Sequence, residues 1–429
     1  MNQVLALSAK QQARLIRERQ ISSEELIQAH LDRIARVNPA IHAVVATPPP
    51  CPAHSGPLAG VPFSIKDSIE LAGTRCTAGT WGRRDAAPST EDAALVKLLR
   101  AAGAIPIAKT NLPDLLFAFE SDNLLFGATN NPYDLTRTAG GSSGGEAALI
   151  AACGSPCGLG SDAAGSVRLP AAFCGIAGLK PTSGCLPRDG HFPPAGGWIE
   201  GLWQIGPMAR YVEDLKLMME IFGVARRPFG KPRIAFYTDN GIAPADSEVS
   251  RVVLLAAKAI EPQAACVVED RPRCLEMAFD LEMKLIGPDG GDSLRRLAAE
   301  LGSTRVHPLL TAWLDRLEAY RTDLAGFQRY WTDWDRYRAE IAAFLRRYDA
   351  ILCPAYIHPA LPHGTSTLDE NFRGFSHTMA FNVAGWPAAV VRCGESAAGL
   401  PIAVQVAAGP WQEDLVLTIA GCLEEVCEG

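Results

Sequence analysis

Two glycine- and serine-rich segments and one lysine are the parts of this chain best suited to chemistry. The segments are GGSSGG at 140–145 and DAAGS at 162–166, and a helix-like apolar stretch lies between them. Glycine permits backbone conformations in which several N–H groups are exposed and preorganised, as the binding of a developing oxyanion requires. The serines offer hydroxyl nucleophiles, provided that a base lies close to them in the fold.

The base is the harder group to identify. The eight histidines are scattered, and His191, the nearest in sequence, has no triad-like position. Lys66 stands in the apolar run VPFSIKD, where a lysine is unexpected, although a lone lysine in such a run is more often only a strand-exit residue. Burial lowers the pKa of a lysine because it disfavours the charged ammonium, so a buried Lys66 could act as a base.

Two simpler interpretations of the glycine–serine segments fail. A phosphate-binding loop would need the pattern GxxxxGK[ST], which does not occur. A flexible linker would not be enclosed by apolar, strand- and helix-like sequence. The segment also matches the GxSxG pattern of a nucleophile elbow, but such an elbow follows a strand, and no clear strand leads into this segment.

Strand and helix patterns alternate along the chain and predict an α/β fold. We expect helices at 7–19, 24–38, 91–102, 246–259 and 414–426, and strands at 61–66, 104–108, 234–237, 350–355 and 401–406. Ser22 and Ser23 offer an N-cap for the second helix. Residues 262–346 are richer in charge and aromatics and predict a mostly helical section within a single domain spanning 1–429.

Composition excludes several classes of function. The net charge is −7 and no basic run occurs, so nucleic acid is not an expected partner. We expect no signal peptide and no membrane span, and therefore a cytoplasmic protein whose 12 cysteines are mostly reduced. Without HExxH or paired CxxC motifs, we expect no metal and no organic cofactor.

The segments GVPFSIKD at 60–67, GGSSGG at 140–145 and DAAGSVRLP at 162–170 resemble, in order and spacing, the three active-site segments of the amidase-signature hydrolases. FGATNNPYD, CGIAGLKPT, IGPMAR and GLPIAVQ extend the resemblance along nearly the whole chain, and 126–182 is especially similar to the fatty-acid amide hydrolase branch. The resemblance implies a large mixed, mostly parallel β-sheet covered on both faces by helices.

The resemblance also implies roles for individual residues. Ser166 is the implied nucleophile, Ser142 the bridging serine on a cis peptide bond, and Lys66 the base. The implied oxyanion hole consists of the backbone N–H groups of Ala163, Ala164, Gly165 and Ser166. The side chains with implied supporting roles are those of Ser143, Asp162 and Arg168. We expect Asp162 to pair with Arg168 and Ser143 to lie near Lys66. Ala164 departs from the family, which usually has glycine there.

The substrate is less strongly encoded. By resemblance, 116–121 and 190–198 line the cleft, with Leu116, Phe119 and Trp198 as candidate contacts. These side chains favour an apolar or aryl amide, and an acyl-enzyme mechanism would also accept esters and carbamates (urethanes). We expect a monomer or homodimer acting on a small molecule. Two alternatives remain: an amidotransferase A-type subunit that releases ammonia from glutamine for a partner, and an inactive scaffold.

Overall fold

The computed structural model of the protein describes residues 2–52, 54–194 and 197–427, without the side chains of residues 2, 197 and 198. Within these ranges, the strands are β1 (Val44–Ala46), β2 (Pro62–Lys66), β3 (Ile105–Thr110), β4 (Asn130–Asn131), β5 (Asp134–Thr138), β6 (Cys157–Asp162), β7 (Ala177–Lys180), β8 (Gln204–Ala209), β9 (Arg233–Phe236), β10 (Cys266–Glu269), β11 (Ala350–Pro354), β12 (Ala388–Glu395) and β13 (Pro401–Ala408).

The α-helices of the described ranges are α1 (Asn2–Leu5), α2 (Ala9–Arg17), α3 (Ser23–Ile41), α4 (Ala94–Ala101), α5 (Gly144–Ala151), α6 (Arg168–Cys174), α7 (Val212–Ile221), α8 (Ser247–Ile260), α9 (Ala278–Ile286), α10 (Asp292–Glu300), α11 (Pro308–Leu317), α12 (Leu324–Phe344), α13 (Asp369–Phe372), α14 (Ser376–Val383) and α15 (Glu413–Cys427). Several begin as the sequence predicts. Ser22 and Glu25 exchange hydrogen bonds at the start of α3, and the Asp246 carboxylate accepts the Val249 N–H at the start of α8.

One large sheet organises the fold. Its strand order is β1-β3-β2-β6-β8-β7-β12-β13-β11-β9-β10, and β4 pairs separately with β5. The predicted α/β fold with a large mixed sheet is confirmed. Its parallel pairs lie on two flanks, β3–β2–β6 and β11–β9–β10, while the middle from β6 through β8, β7, β12 and β13 to β11 is antiparallel.

Helices cover both faces of this sheet. Alternate residues of a strand point to opposite faces of the sheet. A sheet face that carries apolar side chains has to be buried against another layer of structure. Along β13, Ile402, Val404 and Val406 pack with residues of α7, α8 and α15. Ala403 packs on the opposite side with α3, α5 and α6. Ala407 also lies on that side, with α9, α12 and α14.

The parallel flank β3–β2–β6 carries the chemistry-bearing residues. In β2 and β6, Ser64 pairs with Gly158 and Ile65 with Leu159, so the carboxyl ends of both strands meet at one edge of the sheet. Lys66 is the last residue of β2, and Asp162 is the last of β6. In sheets of this kind the loops beyond the carboxyl ends of parallel strands form the ligand-binding crevice.

Candidate active site

Three segments meet at the carboxyl edge of the β2–β6 flank. Lys66 ends β2, Ser142 and Ser143 immediately precede α5, and the loop from Asp162 to Ser166 connects β6 with α6. Ser142 and Ser166 line one cavity. The residues that the sequence singles out are therefore brought together.

Lys66 is fully buried. Its Nζ lies 2.7 Å from the Ser142 Oγ and 3.1 Å from the Ser161 Oγ. Burial lowers the pKa of Lys66 well below its usual value, although the charges of Asp162 and Glu146 act in the opposite direction. The structure thus provides a lysine that is disposed to be neutral and that touches a serine hydroxyl.

The carboxylate that follows Lys66 in the chain, Asp67, is engaged with other groups. Asp67 forms an ion pair with Lys109, whose Nζ lies 3.2 Å from the carboxylate, and Asp67 also accepts the Thr77 N–H at 3.1 Å. Asp67 therefore has its own partners and does not hold Lys66 in the charged form.

The two serines of GGSSGG have different surroundings. The peptide bond between Gly141 and Ser142 is cis, and the Ser142 carbonyl accepts a hydrogen bond from the Ser121 hydroxyl at 3.3 Å. Ser143 hydrogen-bonds near Lys66, as expected, because its hydroxyl and the Lys66 Nζ lie within reach of the same Ser161 carbonyl. Its N–H donates to the Ser166 carbonyl at 3.1 Å, and its hydroxyl lies 3.3 Å from both the N–H and the carbonyl of Ser161. Ser143 thus fixes the two loops against each other.

The predicted oxyanion loop offers fewer free donors than the sequence suggested. The Gly165 N–H donates to the Asp162 carboxylate at 2.8 Å, so it is already engaged. Within the described part of the chain, the N–H groups of Ala163, Ala164 and Ser166 meet no protein acceptor. These three remain as candidate donors to a substrate oxygen.

Glycine is needed at position 165 and not at 164. Gly165 has a φ of +126°, and a Cβ there would lie 2.3 Å from the Thr378 Oγ1. Ala164 does not belong to the positive-φ residues, and it is one of the residues that line the cavity. The departure from the family pattern at Ala164 is therefore compatible with the backbone of the loop.

A buried ion pair anchors this loop. The Arg168 Nε and Nη2 donate to the two Asp162 oxygens, each at 2.9 Å, and both side chains are fully buried. Burial alone would raise the pKa of Asp162, but Arg168 and a hydrogen bond from Asn382 hold it far below its usual value. Arg168 also donates to the Gln405 side chain at 2.7 Å. The predicted pair of Asp162 and Arg168 is thus present at the centre of a larger network.

The cavity beside the serines has a volume of about 410 Å³ and a mostly apolar wall. The predicted contacts Leu116 and Phe119 line it, and Phe119 stacks on Phe375 with 3.7 Å between ring centroids. The Trp198 side chain lies outside the described residues. The lining that sequence reasoning missed comes from later parts of the chain: Ile199, Trp203, Ile286, Leu294, Leu297 and Trp313.

Three polar residues near Lys66 were also missed. Ser161 directly precedes Asp162 at the end of β6, and this position beside the DAAGS segment is the one sequence feature that could have indicated its place in the site. Glu146 accepts hydrogen bonds from Ser64 and Thr110, and burial raises its pKa to about 7. His191 lies 3.1 Å from the Ser161 Oγ and lines the cavity, but within the described residues its ring makes no hydrogen bond to Ser142 or Ser166.

Two absences apply to the described part of the chain. In residues 2–52, 54–194 and 197–427, no three His, Cys, Asp or Glu side chains are grouped so as to hold a metal ion. None of the helices in those ranges combines the length and apolar character needed to cross a membrane.

Known proteins are similar to this chain in both sequence and fold. The family model described as Amidase matches residues 25–417. Human fatty-acid amide hydrolase 2 is 32% identical over 482 residues, which cover 99% of this chain and 90% of the human protein. The structure of 6-aminohexanoate cyclic dimer hydrolase complexed with substrate superimposes with a TM-score of 0.86 at 26% identity, covering 99% of this chain and 98% of the other.

A further structural relative is the A-type subunit of the glutamyl-tRNA(Gln) amidotransferase from Thermotoga maritima, with a TM-score of 0.82 and 27% identity over 98% of this chain and 95% of that chain. The family model spans most of the chain, and the human relative exceeds 30% identity along almost its full length. This chain therefore belongs to the amidase-signature family and is an amide-cleaving hydrolase.

Proposed function

We propose that this protein hydrolyses amides with apolar or aryl groups through an acyl-enzyme, with Ser166 as nucleophile, Ser142 as relay and Lys66 as base. The observation that carries the proposal is the buried Lys66 Nζ, 2.7 Å from the hydroxyl of Ser142, a residue that lines the same cavity as Ser166. A base candidate must lie within hydrogen-bond reach of the proton that it removes, and Lys66 meets that condition for Ser142.

The reaction follows from the order of these groups. Neutral Lys66 takes the Ser142 proton while Ser142 takes the Ser166 proton, and the Ser166 oxygen bonds to the substrate carbonyl carbon. The N–H groups of Ala163, Ala164 and Ser166 stabilise the oxyanion. The C–N bond then breaks as the proton returns through Ser142 to the leaving nitrogen. Water attacks the acyl-enzyme by the same relay and releases the acid and free Ser166.

The cavity supports the choice of substrate class. Its wall is made of aliphatic and aromatic side chains such as Leu294, Leu297 and Trp313, and burial of an apolar group against them contributes binding free energy. Esters and carbamates undergo the same acyl transfer, so urethane cleavage belongs to the proposal. The glutamine-dependent alternative is supported by the similarity to the amidotransferase protein, but a small polar substrate would leave this apolar wall unused.

A labelling experiment tests the nucleophile. An alkyl fluorophosphonate should add once, at Ser166, and peptide mapping locates the adduct. Ser166→Ala should abolish labelling. Ser155→Ala, at a buried serine whose hydroxyl donates to the Cys157 carbonyl away from the cavity, should keep it. An adduct on Ser143 or on a cysteine would contradict the proposed nucleophile.

A kinetic experiment tests the base and the substrate. Lys66→Ala should fold and lose nearly all amide hydrolysis, and more than a tenth of the wild-type rate would contradict the triad. In the wild type, kcat/KM should rise with pH through one ionisation to an alkaline plateau, because the free enzyme's base must be neutral. A screen of aryl amides, fatty amides, esters, carbamates and L-glutamine ranks the substrates, and glutaminase activity exceeding aryl amide hydrolysis would favour the amidotransferase alternative.

A further inference from the structure

The hydrogen bonds around Lys66 raise a question of direction. A neutral amine has two N–H donors and one lone pair. The Nζ lies within reach of the Ser142 Oγ at 2.7 Å, the Ser161 Oγ at 3.1 Å and the Ser161 carbonyl at 3.5 Å. The lone pair must face Ser142 if Lys66 is to take its proton. Both N–H groups then have to be directed to Ser161.

Ser161 could defeat this arrangement. A hydroxyl both donates and accepts, and its hydrogen rotates to suit its neighbours. If the Ser161 hydroxyl donated to Lys66, it would occupy the lone pair that Ser142 needs. Productive geometry therefore requires another acceptor for the Ser161 hydrogen.

His191 provides that acceptor. Its Nδ1 lies 3.0 Å from the Pro193 carbonyl, which can only accept, so Nδ1 carries the hydrogen. Burial lowers the pKa of His191 to about 3, helped by Lys66 and Arg188 and opposed by the Pro193 carbonyl, so the ring is neutral. Its Nε2 then bears a lone pair, and the Ser161 Oγ lies 3.1 Å away. The ring is held against Trp203 at 4.5 Å between centroids.

We propose that His191 is a positioning residue that accepts the Ser161 hydroxyl hydrogen and so keeps the Lys66 lone pair directed at Ser142. The inference rests on the proposed function of Lys66. The Ser68 Oγ also lies 3.1 Å from the His191 Nε2 and competes for the same lone pair. Removing that competitor should leave the Ser161 interaction in place.

Replacing His191 should change how the rate of the reaction depends on pH. In His191→Leu the Ser161 hydroxyl is free to donate to neutral Lys66, which stabilises the neutral form but blocks its lone pair. The half-maximal pH should therefore fall while the alkaline plateau falls about five- to tenfold, the size of one net hydrogen bond. Asp162 and Glu146 face Lys66 from β6 and α5; Glu146, whose pKa is about 7, titrates in the wild type and in the variant alike, and replacing neutral His191 removes no charge.

The test measures the rate of inactivation by an alkyl fluorophosphonate from pH 5 to 10. In this step the Ser166 oxygen bonds to phosphorus, fluoride leaves, and the relay takes the proton, so no substrate needs to be known. His191→Gln places an amide oxygen near the Nε2 position and should restore most of the plateau and the wild-type half-maximal pH. Ser68→Ala should not slow inactivation.

A double-mutant comparison separates positioning from a merely structural effect. In a Ser161→Ala background no hydroxyl can block Lys66, so adding His191→Leu should change the plateau less than twofold. An undiminished effect there, or a His191→Leu profile identical to wild type, would overturn the inference. Full labelling of Lys66→Ala would instead overturn the proposed function itself, so the two failures are distinguishable.

Discussion

Arg168→Leu tests whether the buried ion pair holds the active-site loop. The Arg168 guanidinium is fully buried and donates to both Asp162 oxygens, the Thr378 carbonyl and the side chains of Gln405 and Asn382. Leucine fills part of the same volume but donates nothing. Asp162 would then remain buried without its countercharge, retaining hydrogen bonds from Asn382 and from the backbone of the loop.

The magnitude follows from the burial. Removing one member of a fully buried pair costs about 3–5 kcal/mol, because the remaining charge is left uncompensated. For cooperative unfolding of 429 residues, an entropy of about 2.1 cal/mol/K per residue gives roughly 0.9 kcal/mol/K, so Tm should fall by about 3–6 °C. Arg226→Leu is the matched control: its pair with Glu220 is exposed, and exposed pairs contribute little to stability, so the loss should be much smaller.

The loss should also depend on pH in a defined direction. In the folded wild type the pKa of Asp162 lies below its value in the unfolded chain. The ion pair therefore stabilises the fold at pH values above the unfolded pKa, and this stabilisation is lost as the pH falls towards the folded pKa. Without Arg168, burial raises the pKa of Asp162, so the variant gains relative stability when the carboxyl is protonated. The difference in unfolding free energy between wild type and variant should therefore shrink as pH falls towards 4.

Denaturant unfolding of the wild type, Arg168→Leu and Arg226→Leu at pH 4.5, 6 and 8 measures these differences. Adding Asp162→Asn to Arg168→Leu removes the orphaned charge and should recover part of the loss. Equal losses for Arg168→Leu and Arg226→Leu, or a difference from wild type that grows in acid, would refute the reasoning.

Three further perturbations test other parts of the site. Gly165→Ala places a Cβ against Thr378 at a positive φ and should lower kcat at least tenfold in steady-state assays, whereas Ala164→Gly should stay within about threefold. Burial raises the folded pKa of Glu146 to about 7, above its unfolded value, so the stability that depends on its protonated form is lost as pH rises through 7. Between pH 5 and 8 the unfolding free energy of Glu146→Gln should therefore increase relative to that of the wild type, by at most about 3 kcal/mol in urea unfolding. Activity should survive prolonged EDTA treatment, and a loss restored by zinc would contradict a metal-free mechanism.

Local pattern accounts for much of what the sequence predicts. Helix α3 begins after Ser22 because a capping serine, a reciprocal Glu25 and apolar residues at helical spacing agree within one short segment. The closing helix and the strands β9, β11 and β13 follow in the same way from short apolar runs. The glycine–serine segments and Lys66 stand out because such residues are unusual in apolar surroundings.

Sheet order lies beyond such reasoning. β12 lies between β7 and β13 in the sheet, although β7 is far from β12 along the chain and β13 follows β12 after a short turn. Alternation of apolar residues tells which face a strand presents but not which strand lies beside it. The antiparallel middle of the sheet is therefore a result of tertiary packing.

The sequence by itself determined the family, the α/β class and the three segments that carry Lys66, Ser142 and Ser166, because residue type and local spacing record them. Only the tertiary structure decided the partners. In the folded chain the Ser143 hydroxyl contacts the Ser161 backbone, and the Gly165 N–H donates to Asp162. The Ser161 hydroxyl lies between His191 and Lys66 and contacts both. These contacts join residues from different loops, and a hydrogen bond depends on ångström-scale distance and direction that no local pattern contains.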